Sequence, residues 1–103
     1  MDALKVIAAP RRQQILRLIW DRELAAGEIA AAFEVSWSAI SQHLTILRAA
    51  GFVAERRVGN SRFYRSNQEA LGPLRSVVEA YWRSSLDEIK ALAEAEQRDG
   101  KDA

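Results

Sequence analysis

The sequence contains no cysteine and a single histidine, and these shortages remove several kinds of chemistry. Without cysteine there is no disulfide framework, no thiolate nucleophile, no thiol redox switch and no metal site built on sulfur. His43 alone cannot form an imidazole cage within one chain, so we expect neither a metal nor another cofactor. Because there is neither an apolar run of ~18 residues nor a basic-then-apolar amino terminus, we expect no membrane span, no signal peptide and a cytoplasmic location.

The composition is that of an ordinary soluble domain. Of the 103 residues, 49% are hydrophobic and 28% are charged, which provides for one small core. The net charge of +1 hides a segregation, because residues 36–67 carry five arginines against Glu55 alone, a net charge of +4. Residues 1–35 are neutral and residues 68–103 are acidic. A concentrated positive potential favours an anionic partner, so residues 36–67 are the candidate anion-binding surface.

Three short helices are predicted in the first third of the chain. The first covers Leu4–Ala8 and ends before Pro10, because a proline disfavours helical geometry in its predecessor. The second begins at Pro10, whose missing N–H is not needed in a first turn, and runs to about Asp21 with its arginines mostly outward. The third covers about Ala26–Phe33 and begins without a Ser, Thr, Asp or Asn cap.

The next segment has the clearest pattern, a helix over residues 36–50. Ser36 is a good N-cap and Gly51 is a normal C-terminal glycine. Apolar residues recur at i, i+4 and i+7 and share one face, namely Ile40, Leu44 and Leu47. The opposite face is small, uncharged and rich in hydrogen-bonding groups, and it consists of Ser38, Gln42, Thr45 and Ala49.

A β-hairpin is predicted over residues 53–66, since two short β-branched or aromatic runs flank the turn Gly59-Asn60-Ser61. Beyond it, apolar residues spaced three and four apart predict a long amphipathic helix, roughly Pro73 to Glu96. A monomer of this size has little surface on which to bury that stripe, so we expect a second copy to cover it. The expected organisation is a single domain over residues 1–103, with a core at 4–70, a dimerisation helix at 71–96 and a disordered tail at 97–103.

The order of these parts matches a winged helix-turn-helix, a mainly α fold with a small β-hairpin (α+β) and, here, a long terminal dimerisation helix. A helix fits the major groove of B-DNA, where amide and hydroxyl side chains read base edges. Arginine binds the flanking phosphates without reading sequence. The candidate base-reading residues are Ser38, Ser41, Gln42 and Thr45, and the candidate contacts to phosphates or groove walls are Arg48, Arg57, Asn60 and Arg62.

The residues V-S-W-S-A-I-S-Q-H-L-T-I-L-R-A-A-G-F-V at 35–53 resemble the recognition helix of the ArsR family of bacterial winged-helix repressors. P-R-R-Q-Q-I-L at 10–16 resembles the opening of that family's second helix, and R-V-G-N at 57–60 with F-Y-R at 63–65 resembles its wing. The resemblance covers about residues 4–95. It implies a homodimeric transcriptional regulator, usually a repressor, dimerised through its first and last helices. A twofold dimer in turn implies a pseudo-palindromic double-stranded DNA operator.

The sequence departs from the metal-sensing members of that family. Where they carry a Cys-x-Cys pair, Ala25 and Gly27 stand here, and neither can bind a metal. Other members place Asp and His ligands on the last helix, which has no histidine here and only acids without nitrogen partners. Since first-row transition metals favour nitrogen or sulfur ligands, we expect no metal sensing by this route. No enzyme motif rises above chance.

Several features have more than one interpretation. His43 projects about 60° from the centre of the apolar face, where it packs, contacts a phosphate, reads a base or, as a further alternative, acts as a ligand or in catalysis. Trp20, Tyr81 and Trp82 either belong to the core and the dimer seam or line a pocket for a small-molecule effector. A winged helix can also be a protein-docking module without DNA binding, but that would require an apolar or acidic outer face on helix 36–50.

Overall fold

The computed structural model describes residues 2–84, which fall into two compact units divided between Leu71 and Gly72. The first unit contains, in chain order, α1 (Ala3–Ala8), α2 (Pro10–Leu18), β1 (Leu24–Ala25), α3 (Ala26–Ala31), α4 (Trp37–Ala49), β2 (Val53–Val58), β3 (Ser61–Ser66) and α5 (Gln68–Leu71). The second contains α6, helical from residue 74 to residue 84. The rest of the predicted last helix, to Glu96, and the tail 97–103 lie outside the described residues. No helix within residues 2–84 has the length and apolar character needed to cross a bilayer.

The ends of α3 and α4 follow local capping chemistry. The Ser36 hydroxyl accepts from the Ala39 N–H at 3.2 Å, as expected for an N-cap, and Gly51 ends α4 with a φ of 84°. At α3, which has no capping hydroxyl or amide, the Glu28 carboxylate accepts from the Ala25 N–H at 2.9 Å. This is the glutamate half of a capping box, and a first-turn carboxylate also suits the positive end of the helix dipole.

The wing, residues 53–66, supplies two strands of a three-stranded antiparallel sheet with the order β1-β3-β2. The β2–β3 hairpin turns at Gly59 and Asn60, while Ser61 of the predicted turn already belongs to β3. Gly59 has a φ of 60°, and Asn60 does not have a positive φ. Glycine at the first central position is typical of the II′ turns that match strand twist. The strand β1, which pairs Leu24 with Tyr64, was not predicted, because two residues are too short to show an alternating pattern.

The helix α2 ends at Leu18, before the predicted Asp21, and distant residues bond the carbonyls at its end. The Ser66 hydroxyl donates to the Leu16 carbonyl at 2.9 Å, and the Ser66 N–H donates to the Ile19 carbonyl at 3.0 Å. The Gln68 side chain donates to the Trp20 carbonyl at 2.8 Å. Groups about fifty residues downstream thereby satisfy carbonyls that a continuing helix would have bonded itself.

The core of the first unit lies between α2, α3 and α4, with one side closed by the sheet. Its largest fully buried side chains are Ile15, Leu16, Ile19, Ile29, Ile40 and Leu47. Phe52, Val53 and Tyr64 add buried side chains at the hairpin. Because the three apolar positions predicted for α4 are all buried, the opposite side of that helix faces outward.

Replacing Ser66 with alanine removes the buried hydroxyl that bonds the Leu16 carbonyl. Leaving a buried acceptor without its donor costs about 1–3 kcal/mol, so we expect Ser66→Ala to lower the free energy of unfolding by that amount. Urea denaturation at fixed protein concentration measures it. Ser61→Ala is the matched control at the exposed end of the same strand and should change stability by less than about 0.5 kcal/mol. Equal losses in both variants would contradict a specific role for the Ser66 hydroxyl.

Candidate nucleic-acid interface

The outward face of α4 carries three of the four predicted base-reading side chains in the open. Ser38, Gln42 and Thr45 are exposed, whereas Ser41 is half-buried. Their spacing of four and three residues places the exposed three in one strip along the helix. The Thr45 hydroxyl donates to the Ser41 carbonyl at 2.9 Å, so its proton is already used. Thr45 can then offer lone pairs and a methyl group to a base, while Gln42 can both donate and accept.

One face of the β-hairpin carries two arginines close to its turn, Arg57 and Arg62. Strand alternation places Glu55 and Arg57 on the same side of β2, and the register sets Arg57 directly opposite Arg62 of β3. Both arginines are exposed, and Asn60 is exposed at the turn. Like charges directly opposite one another are unfavourable in a sheet, and an anion placed between them would relieve the repulsion. Arg57 has no carboxylate partner within residues 2–84, which leaves its guanidinium available.

Glu55 joins the recognition helix to this face of the wing. Its carboxylate, 18% exposed, accepts a hydrogen bond from Arg48 at the end of α4 and lies 3.7 Å from the Nε of Arg62. The sequence predicted Arg48 and Arg62 as contacts to phosphates or groove walls without identifying an internal partner. The structure shows that one carboxylate contacts both, so a phosphate approaching either arginine competes with Glu55.

Arg56 lies on the other face of β2, where its side chain is bound by other residues of the protein. It donates to both carboxylate oxygens of Glu23, at 3.0 and 2.6 Å, and its guanidinium carbon lies 5.2 Å from the centre of the Phe63 ring. The hydrogen bonds from Arg56 hold the pKa of Glu23 below its ordinary value, and those to Glu23 raise the pKa of Arg56. The sequence counted Arg56 in the positive region, but this pairing, between residues 33 positions apart, could not be seen there.

His43 is half-buried on the side of α4 that meets α2. Its Nδ1 is enclosed and has no hydrogen-bond partner in the described part of the chain, and the same holds for the Nε of Arg12 on α2. Burial lowers the pKa of His43, and the charges of Arg12 and then Arg11 lower it further. The arginines of α2 were predicted to point mostly outward, but Arg11 and Arg12 are both half-buried.

The two positions where metal-sensing proteins carry cysteines have no metal-binding side chain here. Ala25 closes β1 and Gly27 lies in the first turn of α3. Among residues 2–84, no group of three or more His, Cys, Asp or Glu side chains could hold a metal ion.

These geometric features agree with comparisons against known proteins. Residues 9–55 match the family described as bacterial regulatory protein, arsR family. HTH-type transcriptional regulator Rv2034 of Mycobacterium tuberculosis is 32% identical over 97 residues, which cover 94% of this chain and 91% of that protein. The chain belongs to the ArsR family of bacterial regulatory proteins. Membership identifies this ArsR protein as a transcriptional regulator and not an enzyme.

Two further relatives support the assignment. Transcriptional activator HlyU of Vibrio cholerae is 46% identical over 61 residues, which span 59% of this chain and 56% of HlyU. A crystal structure described as a possible transcriptional regulator for arsenical resistance is 38% identical, with a TM-score of 0.69, and the match covers 88% of this chain and 95% of that one. The predicted α+β winged-helix fold of this ArsR protein is thereby confirmed.

Replacing Glu55 with glutamine tests its competition with phosphate. The change removes a negative charge from between Arg48 and Arg62. Since exposed ion pairs contribute about 0.2–1 kcal/mol, we expect duplex DNA of any sequence to bind Glu55→Gln roughly two- to fivefold more tightly per subunit at low salt. Fluorescence anisotropy with a random duplex measures the gain.

The matched control is Glu79→Gln, which breaks the similar pair between Arg75 and Glu79 in the second unit. It should leave DNA affinity unchanged. Weaker binding by Glu55→Gln would show instead that the carboxylate holds the two arginines in the orientation that DNA requires.

Proposed function

We propose that this protein is a homodimeric repressor that binds an inverted-repeat DNA operator through the helix over residues 36–50 and the wing over residues 53–66. The observation that carries the proposal is the exposed strip of Ser38, Gln42 and Thr45, whose opposite face is buried. An exposed helix face without charge, but with amide and hydroxyl groups, matches the donor and acceptor pattern of the major groove.

The basic side chains support the proposal because they flank that strip. Arg48 lies in the last turn of α4, and its partner Glu55 places the Arg57–Arg62 face of the wing next to it. In this arrangement Arg48, Arg57, Asn60 and Arg62 hold phosphates or groove walls while α4 reads bases. Phosphate contacts fix register and orientation, and the strip supplies the sequence preference.

Exposed apolar side chains on the first and last helices support a dimer. Leu4 of α1 is 61% exposed, and on α6 Val77 and Tyr81 are 61% and 58% exposed. Val77 and Tyr81 are four residues apart and therefore share one side of their helix. A second copy of the chain is the partner that covers such side chains symmetrically.

A twofold dimer determines the form of the operator. Two recognition helices related by a dyad read half-sites about 34–36 Å apart, one turn of DNA, in inverted orientation. Repression is proposed because the resemblance to the ArsR family implies it, and a dimer bound across a promoter would exclude the polymerase by occupying the same DNA. The cytoplasmic location and the binding of a small-molecule effector stay predictions.

Gln42→Ala tests the assignment of base reading. A bidentate amide contact discriminates its base by about 1–3 kcal/mol, so we expect the variant to lose roughly 5- to 150-fold in preference for the operator over random duplex. The operator is first obtained by selecting bound oligonucleotides from a random pool, and both affinities are then measured by gel-shift titration.

Arg57→Ala is the contrasting variant, because an exposed arginine that binds phosphate should weaken all sequences alike and reduce the salt dependence. Equal loss of specific and random binding in Gln42→Ala would contradict its role. Absence of salt-sensitive binding to any duplex by the wild-type protein would favour a docking module instead.

Tyr81→Glu tests the dimer interface. A charge placed on an apolar face that a partner covers is buried without compensation, so we expect the variant to be monomeric at concentrations where the wild type is dimeric. Size-exclusion chromatography with light scattering measures the mass. Arg83→Glu, an exposed position on another side of the same helix, should leave the dimer intact. Dimers of unchanged stability in Tyr81→Glu would place the interface elsewhere.

A further inference from the structure

The start of α2 carries positive charge that no carboxylate compensates. Arg11 donates to the Gln14 side chain at 3.0 Å, and its guanidinium carbon lies 5.1 Å from the centre of the Phe33 ring. Neither Arg11 nor Arg12 forms an ion pair with a carboxylate in the described range 2–84. The two guanidinium groups therefore add a positive region outside the segment 36–67 in which the sequence places the positive charge.

This region meets the recognition helix at His43. The helices α2 and α4 pack against each other, and the charges of Arg12 and Arg11 act on the imidazole. The enclosed Nε of Arg12 and the enclosed Nδ1 of His43 both lack partners within residues 2–84. Buried polar atoms normally have partners, and an arginine N–H without one, on a helix whose two neighbouring guanidinium groups have no ion pair with an acid in residues 2–84, marks a place that suits an anion.

We propose that Arg11, Arg12 and His43 form a second phosphate contact of the DNA interface, and that His43 takes up a proton when a DNA phosphate binds there. The inference rests on the proposed function, because it assigns the anion to the duplex that α4 reads. Proximity favours this source over a free phosphate, since His43 lies on the same helix as the exposed strip, about 100° around the helix axis from Gln42.

The proton uptake follows from the charges around His43. Burial and the two arginines of α2 favour the neutral imidazole, and no carboxylate in residues 2–84 is among the groups that act on it. A phosphate beside the arginines offsets their charge and favours the imidazolium. Binding then becomes stronger as the pH falls from 8 towards 6, because proton uptake and DNA binding favour each other.

His43 is the only histidine of the chain, and there is no cysteine, so it is the side chain whose ordinary pKa lies in this pH range. The protein would therefore hold its DNA more tightly under mildly acidic conditions. At most one proton is taken up per His43, which limits the gain in affinity to about tenfold per pH unit for each subunit.

The first test compares Arg12→Gln with Arg17→Gln, which removes an exposed arginine from the same helix. Random-duplex affinity is titrated between 50 and 200 mM salt. Each phosphate contact contributes about 0.9 to the slope of log affinity against log salt, so Arg12→Gln should reduce the slope by about 0.9 per subunit and Arg17→Gln should leave it unchanged. Thermal unfolding confirms that both variants are folded.

Equal slopes for the two variants would overturn the inference. If Arg57→Ala lowers the slope while Arg12→Gln does not, only the second phosphate contact is wrong and the proposed function stands. If the wild type shows no salt-sensitive binding at all, both fail.

The second test follows His43 itself and does not depend on the stability of the Arg12 variant. The pKa of the imidazole is measured by NMR from the proton on its Cε1. Three samples are compared, namely the free protein, the protein with duplex DNA and the protein with inorganic phosphate alone. We expect duplex DNA to raise the pKa. We also expect the rise in affinity between pH 8 and pH 6 to disappear in His43→Gln. An unchanged pKa with duplex, an equal shift with inorganic phosphate alone, or the same pH profile in His43→Gln would each overturn the inference.

Discussion

The rotation of α4 about its own axis is the constraint on which the remaining features depend. Ile40, Leu44 and Leu47 must be buried, and at about 100° per residue their burial determines which side chains stand outside. A rotation of one residue would bring charged Arg48 towards the core and hide part of the polar strip. The burial of these three apolar side chains therefore also determines the direction in which the polar strip of α4 points.

The arginines on the two sides of α4 differ in whether a carboxylate compensates their charge. Towards the wing, Glu55 contacts both Arg48 and Arg62, so that positive charge is partly neutralised before any ligand arrives. Towards α2, Arg11 and Arg12 have no such acid among residues 2–84, and burial with their charges favours a neutral His43. On the wing side, a DNA phosphate would thus replace the Glu55 carboxylate as the partner of the arginines. On the α2 side, it would be the first anion that Arg11 and Arg12 meet. Phosphate contacts on both sides make binding sensitive to salt, and the contact that we propose at α2 also makes it sensitive to protons.

Local patterns were sufficient for much of the fold. Pro10, Ser36 and Gly51 mark helix ends because their effects act within one turn of the chain. The alternating hairpin and its glycine turn were predicted for the same reason. The end of α2 was placed too late, since Ser66 and Gln68, about fifty residues downstream, bond carbonyls at and just after its end. The strand β1 was missed because it exists only through its pairing with β3.

The sequence by itself determined the periodicity of the helices, the side chains available on each face and the resemblance to a family, because these depend on residue types at short spacing. Only the tertiary structure decided which arginines have partners. Arg56 pairs with Glu23, and Arg48 and Arg62 both contact Glu55, each across separate parts of the chain. The physical reason is that an ion pair depends on the distance between two charges, and the chain sets this distance only once it has folded.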